Sequence, residues 1–234
     1  MNLALTTFVC GVRAGSRASG GFSLLELLVV LGLVAVLSVA YFNGFGGGQA
    51  AALQSAQAML IEALLDARGR AIASGRAVRL LVSTGTIVGS PGGRFLRQLV
   101  TQAHGDDGTW IVAAAIQLPR GTALIPAPVS IPPALLSEPD HWINSRDEPL
   151  VSTALLAMDG SGLVGPYPDD VWCGIAFGPD GMVAAGGGVL VLAEAKPVST
   201  DATCPLRCRD ARSVRGVLLS RYGVPVALNG WGEF

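Results

Sequence analysis

Lysine and histidine are almost missing from this chain: Lys196 is the one lysine, and His104 and His141 are the only histidines. Each histidine has acids nearby, in HGDDGT and EPDHW, but sequence neighbours in a polar loop do not make a triad, and no GxSxG nucleophile elbow is present. The glycine-rich GSPGGR lacks the GK[ST] ending of a phosphate loop, and Gly46 to Gly48 do not form GxGxxG. The acid pairs Asp106–Asp107 and Asp169–Asp170 have no twelve-residue calcium-loop spacing. A lone CxxxC, Cys204 and Cys208, has no second ligand pair for zinc. The expectation is a chain that is not an enzyme and takes no cofactor or metal.

Charge is scarce as well. Only 14% of residues are charged while 50% are hydrophobic, a balance poorer in charge than a soluble domain and suited to a membrane segment or a sticky assembly surface. The net charge of −1 gives no global attraction for nucleic acid. At 234 residues the chain has room for one domain plus an anchor.

What the sequence does have is concentrated near its start. From Phe22 to Tyr41, FSLLELLVVLGLVAVLSVAY carries a single charge, Glu26. As a helix rising about 1.5 Å per residue it spans a bilayer core of about 30 Å. The stretch before it contains Arg13 and Arg17 and no acid, which predicts a cytoplasmic N-terminus and an exported C-terminus. An ordinary secretory signal cut after Ala40 is the plain alternative. It has two defects: the apolar run is longer than a signal's hydrophobic region, and Glu26 costs roughly 2.5–3.5 kcal/mol if it reaches mid-membrane.

An ionisable group in such a helix needs a partner. Cleavage between Gly21 and Phe22 would supply one, because the new α-amino group of Phe22 is a cation about one helical turn from Glu26. An amine on one subunit and a carboxylate on its neighbour attract strongly in a low-dielectric layer and hold helices in register.

Gly21, Phe22, Ser23, Leu24, Leu25 and Glu26 resemble the G-F-[ST]-L-x-E signature of type IV pilins and type II secretion pseudopilins. The resemblance implies cleavage after Gly21 by a prepilin peptidase, N-methylation of Phe22 and a register role for Glu26. It also implies other pilins or pseudopilins, an inner-membrane assembly platform and the lipid bilayer as partners. The expected organisation is a leader over 1–21, a transmembrane assembly segment over 22–43 and a periplasmic domain over 44–234. The expected location is the bacterial inner membrane, single-pass, N-in and C-out, with later extraction into a filament.

Gly44, Gly46, Gly47 and Gly48 predict a break after the apolar helix, since glycine costs about 1 kcal/mol in a helix interior. From about Gln49 to Ser74, Leu53, Gln57, Leu60, Leu64, Ala67 and Ala71 recur at helical spacing, Asp66 and Arg70 make an i,i+4 pair, and Gly75 is the stop. Eight β-rich runs follow: Val78–Ser83, Phe95–Gln102, Trp110–Leu118, Ile175–Phe177, Met182–Ala185, Val189–Ala193, Val214–Ser220 and Val224–Leu228. The fold class is therefore α+β, a long N-terminal helix packed on an antiparallel sheet in the pilin manner. Residues 119–149, rich in proline, read as an irregular insertion.

A second resemblance narrows the family. Ala67, Arg68, Ala71, Ile72, Gly75 and Val78 look like the helix-to-strand junction of H-type minor pseudopilins, the GspH/FimT-like domain. Phe177, Pro179, Asp180 and Gly181 look like that domain's F-x-P-x-G hairpin, and Arg215 and Gly223 like its closing strand pair.

Cys10 falls in the leader, so Cys173, Cys204 and Cys208 leave one pair and one free thiol. Cys204 with Cys208 closes a small loop, and Cys173 with either is equally permitted. Arg207, Arg209, Arg212 and Arg215, with Arg221 beyond them, form the one local basic run. It offers an alternative function, DNA uptake through phosphate contacts, against the reading of a solvated face with strand-end arginines. Trp231 and Phe234 fit a core or a partner-facing surface.

Overall fold

The computed structural model describes residues 24–25, 27–34, 47–84, 94–125, 145–148, 150–163, 172–197, 206–208 and 212–234. The chain forms two compact units, Met1–Phe45 and Gly46–Phe234. In the first, residues 24–25 and 27–34 are helical, and their large apolar side chains are 51–82% exposed. No helix among the described residues is long and apolar enough to cross a membrane. Most of the expected span over 22–43 lies outside the described residues.

The second unit opens with α1, Gly47–Ser74, of 28 residues. Gly47 and Gly48, expected in the break, belong to its first turn. Amides there have no intrahelical acceptor to lose, so glycine costs less than it would in the interior. Gly75 ends the helix with φ +65°, and the Arg76 amide donates back to the Ala71 carbonyl at 3.3 Å, closing a Schellman cap.

Among the described residues ten strands follow: β1 Val78–Ser83, β2 Gln98–His104, β3 Trp110–Gln117, β4 Thr122–Ile125, β5 Leu156–Met158, β6 Trp172–Phe177, β7 Gly188–Pro197, β8 Leu206–Cys208, β9 Val214–Leu219 and β10 Pro225–Leu228. They pair antiparallel in two sheets, β3-β2-β1-β6-β5 and β10-β9-β7-β4, with β8 added to β7. A short 3-10 turn, Trp231–Glu233, closes the chain.

One helix serves both sheets. Leu53, Leu60, Leu64, Ala67 and Ala71 of α1 share a core with Leu80 and Val82 of β1, Ile175 and Phe177 of β6, Leu190 and Leu192 of β7, and Val217 and Leu219 of β9. The period-2 alternation of each strand puts these residues on the helix-facing side. The opposite faces are covered too: Phe95, Leu150, Val191 and Phe234 form one cluster, and Leu81, Val100, Leu163 and Trp172 another. Phe234 is therefore core, and Trp231 is partly buried against that same cluster.

Several expected boundaries move. Thr122–Ile125, placed in the irregular insertion, is a strand, because a run of four residues is too short to show a period yet pairs along β7 from Thr122↔Glu194 to Ile125↔Val191. Residues 126–144 of that insertion lie outside the described residues. Phe95–Arg97 is a turn rather than the start of β2. The Met182–Ala185 run contributes one bridge, Val183 to Phe177, because the preceding turn leaves no partner strand in register. β5 and β8, three residues each, are held wholly by their neighbours β6 and β7.

Candidate functional site

Gly21, Phe22 and Glu26 lie outside the described residues, although Leu24 and Leu25 between them are helical and exposed. Residues 27–34 continue as helix with Leu27, Leu28, Val30, Leu31 and Val34 all more than half exposed. Every side of this segment is apolar, a pattern that belongs in lipid or among other helices.

The basic run does not gather into one patch. Arg215 faces α1, where its Nη1 donates to Gln57 Oε1 at 3.1 Å and to Asn229 Oδ1 at 3.0 Å. Arg212 is exposed, with its guanidinium 5.9 Å from the Trp231 ring centroid. Arg207 lies on β8 opposite Lys196, and Arg209 is outside the described residues. Cys173 is a free, fully buried thiol on β6, and burial pushes its pKa up to about 12. The pairings that would use Cys173 are therefore not made. Cys208 is buried on β8, and its candidate partner Cys204 lies outside the described residues.

Residues that sit far apart in the sequence motif meet at one joint. In the 178–182 turn, the Gly178 amide donates to Met182 O at 2.8 Å and Asp180 Oδ1 accepts from the Met182 amide at 3.0 Å. In the 220–223 turn, the Gly223 amide donates to Ser220 O at 2.9 Å. The Val183 amide donates to Arg221 O at 2.9 Å and ties the two turns together. Gly181 and Gly223 have φ of +74° and +73°, and neither has room for a side chain. A Cβ on Gly181 would lie 2.7 Å from Ile72 Cδ1, and one on Gly223 would lie 2.4 Å from Gly181 O and 2.9 Å from Arg68 Cδ. Arg68, Ile72, Gly181 and Gly223 are thus a close approach of helix and two turns that glycine alone permits.

A second polar cluster gave no signal beyond a charged residue inside an apolar strand. Arg79 of β1 is buried; its Nε donates to Gln102 Oε1 at 2.7 Å, Nη1 to Asp159 Oδ1 at 2.9 Å and Nη2 to Ser161 O at 2.7 Å. Its guanidinium lies 4.2 Å from the Trp110 ring centroid, and His104 meets that ring edge-on. The hydrogen bond from Arg79, helped by one from Ser161, holds the Asp159 carboxyl below the usual carboxylate range. The cluster clamps the 159–163 loop over β1 and β2. Among the described residues no group of side chains could hold a metal ion.

Residues 16–42 match the model of the prokaryotic N-terminal methylation motif. The chain therefore carries a type IV pilin-like signal, which implies processing by a prepilin peptidase, assembly with other pilins and a membrane anchor. The match includes Gly21, Phe22 and Glu26, and in this chain the signal precedes an α+β domain of one helix and antiparallel sheets. No curated protein and no solved structure matches the chain.

Proposed function

We propose that this chain is a minor pseudopilin or minor pilin of the H type, built into a type II secretion pseudopilus or a type IV pilus and acting by assembly rather than catalysis. The carrying observation is the GFSLLE junction inside the matched methylation motif. In this reading the prepilin peptidase cuts after Gly21, the Phe22 amine is methylated, and the Glu26 carboxylate pairs with a neighbouring subunit's terminal amine within lipid. The exposed apolar helical residues 24–25 and 27–34 pass from bilayer to filament core without meeting water. The packed joint of Arg68, Ile72, Gly181 and Gly223 supports the H-type assignment by giving the residues of that resemblance a common structural reason.

Mass spectrometry of the mature protein is expected to find methylated Phe22 at the N-terminus; a start at Tyr41 would overturn the reading. DNA uptake through Arg207, Arg209, Arg212 and Arg215 is the weaker reading, because Arg215 is committed to Gln57 and Asn229. Phosphate contacts would show as a steep salt dependence of binding that arginine removal reduces.

A further inference from the structure

The open edges of the two sheets are unequal. β4, β5, β8 and β10 are three or four residues long, too short to offer another chain much of a template. β3 is different: its eight residues, WIVAAAIQ, carry no charge and no proline, none of them is buried, and among the described residues it pairs with β2 alone. The Leu118 amide donates to Arg97 O at 2.8 Å, which sets the phase of the β2–β3 ladder. Ala114 and Ile116 therefore exchange hydrogen bonds with Thr101 and Leu99, and the main-chain N–H and C=O of Ala115 point away from β2, where no described residue meets them. The strand's one irregularity is a bulge at Ala113, which the register skips.

Beside this edge lies a cleft of about 170 Å³, lined by Ala114 and Ile116 of β3 and by Met59, Glu62 and Asp66 of α1. Its floor is apolar and its rim acidic. Asp66 is held by Arg70 at 2.6 Å, whereas Glu62 is exposed and makes no hydrogen bond or ion pair with any described residue. Ile111, on the same face of β3, extends the apolar surface past the cleft. A strand laid against β3 would continue the period-2 alternation of the sheet, so every second side chain of the newcomer would hang on the helix side. Those side chains meet an apolar floor and one carboxylate that nothing described neutralises.

We infer that β3 is a docking edge for an extended segment of another protein, one whose helix-facing side chains are apolar with a lysine or arginine among them. Its main chain extends the first sheet at Ala115, its apolar side chains occupy the cleft, and its cation meets Glu62. Main-chain pairing gives such a contact its affinity, and the cleft gives it a preference among side chains. The same carboxylates disfavour a second copy of this chain as the occupant. β3 paired with β3 would set two acidic rims on one face of the joined sheet, where like charges repel. The arginine-bearing strands β1 and β9 are already paired on both sides and cannot serve. The inference stands on the second unit alone and does not use the methylation motif.

The test uses the full-length chain in detergent micelles and a fluorescent synthetic peptide as long as β3, with valine, lysine and valine on one face and threonine on the other. Fluorescence anisotropy is expected to give a Kd below about 100 μM. The same peptide with glutamate for lysine, and a third with methylated main-chain nitrogens, should each bind at least about tenfold more weakly. Glu62→Lys, an exposed change, should reverse the preference and favour the glutamate peptide, an outcome that unspecific stickiness does not give. Ala115→Pro removes the outward amide and leaves the ladder to β2 in place, so it should weaken binding about tenfold at an unchanged urea midpoint. Should that midpoint fall, the methylated peptide decides the main-chain contact, because it leaves the protein unaltered. No binding at about 1 mM peptide, equal binding of the lysine and glutamate peptides, or full binding of the methylated one overturns the inference. Self-association of the chain that Ala115→Pro abolishes would make β3 an edge for a second copy and overturn it as well.

Discussion

Arg79 shows how one residue reorganises its surroundings. It stands in VRLLVS, buried on both faces of β1, where an unpaired guanidinium would carry a large desolvation cost. Gln102, Asp159, Ser161 and the Trp110 face together meet that need. Asp159 itself is largely exposed, so its part is screened and modest. The sign of its pH effect is nonetheless set. Its folded-state pKa is depressed, so the unfolded chain takes up the proton first as pH falls. The stabilisation is complete above the ordinary carboxylate pKa of 3.8 and is lost as pH drops through the lower folded value. The urea midpoint is expected to fall as pH drops below about 4, and less steeply in Asp159→Asn. Equal slopes in the two proteins would show that the ion pair does not contribute.

At the scale of elements, α1 is the member on which both sheets depend. Its helical phase is readable because six of the positions that recur at 3.6-residue spacing, Leu53, Gln57, Leu60, Leu64, Ala67 and Ala71, are all buried. What Gln57 does there is not readable from spacing. Its Nε2 donates to Gly216 O at 2.7 Å and to Leu228 O at 2.8 Å, while its Oε1 accepts from Arg215. One amide therefore ties the helix to β9 and to the edge strand β10. Gln57→Ala would take the side-chain donor from two carbonyls and leave Arg215 with Asn229 as its acceptor, at a cost of about 1–3 kcal/mol in urea unfolding. Hydrogen exchange should rise first in β10, which has β9 as its one strand neighbour. Protection unchanged in β10 would mean that the β9 ladder alone holds it. The strands that sequence reading missed, β4, β5 and β8, are three or four residues each, and of strands that short β10 alone was read, its run extended by Val224. Their existence comes from a partner already in place rather than from local propensity.

For the whole molecule, the assembly reading turns on Glu26. Glu26→Ala removes the carboxylate but not the Gly21–Phe22 bond or the apolar run that carries the chain into the membrane. Cleavage and methylation are expected to proceed, while incorporation into filaments drops at least about tenfold, the loss of one ion pair in a low-dielectric layer. Fractionating sheared filaments from membranes and blotting both checks this, and normal incorporation of Glu26→Ala would exclude the register role.

The chain by itself determined the methylation motif over 16–42, the helical phase of α1, its stop at Gly75 and the α+β class. Each of these is written in consecutive or periodically spaced residues, which local geometry or a processing enzyme reads directly. Only the tertiary structure decided that Arg79 would be clamped by a loop 80 residues away, that Cys173 would stay an unpaired thiol, and that Arg215 would turn inward to Gln57. It likewise brought Arg68, Gly181 and Gly223 to one joint. Those outcomes depend on which distant backbones come within hydrogen-bonding or van der Waals range, and no local pattern encodes that distance.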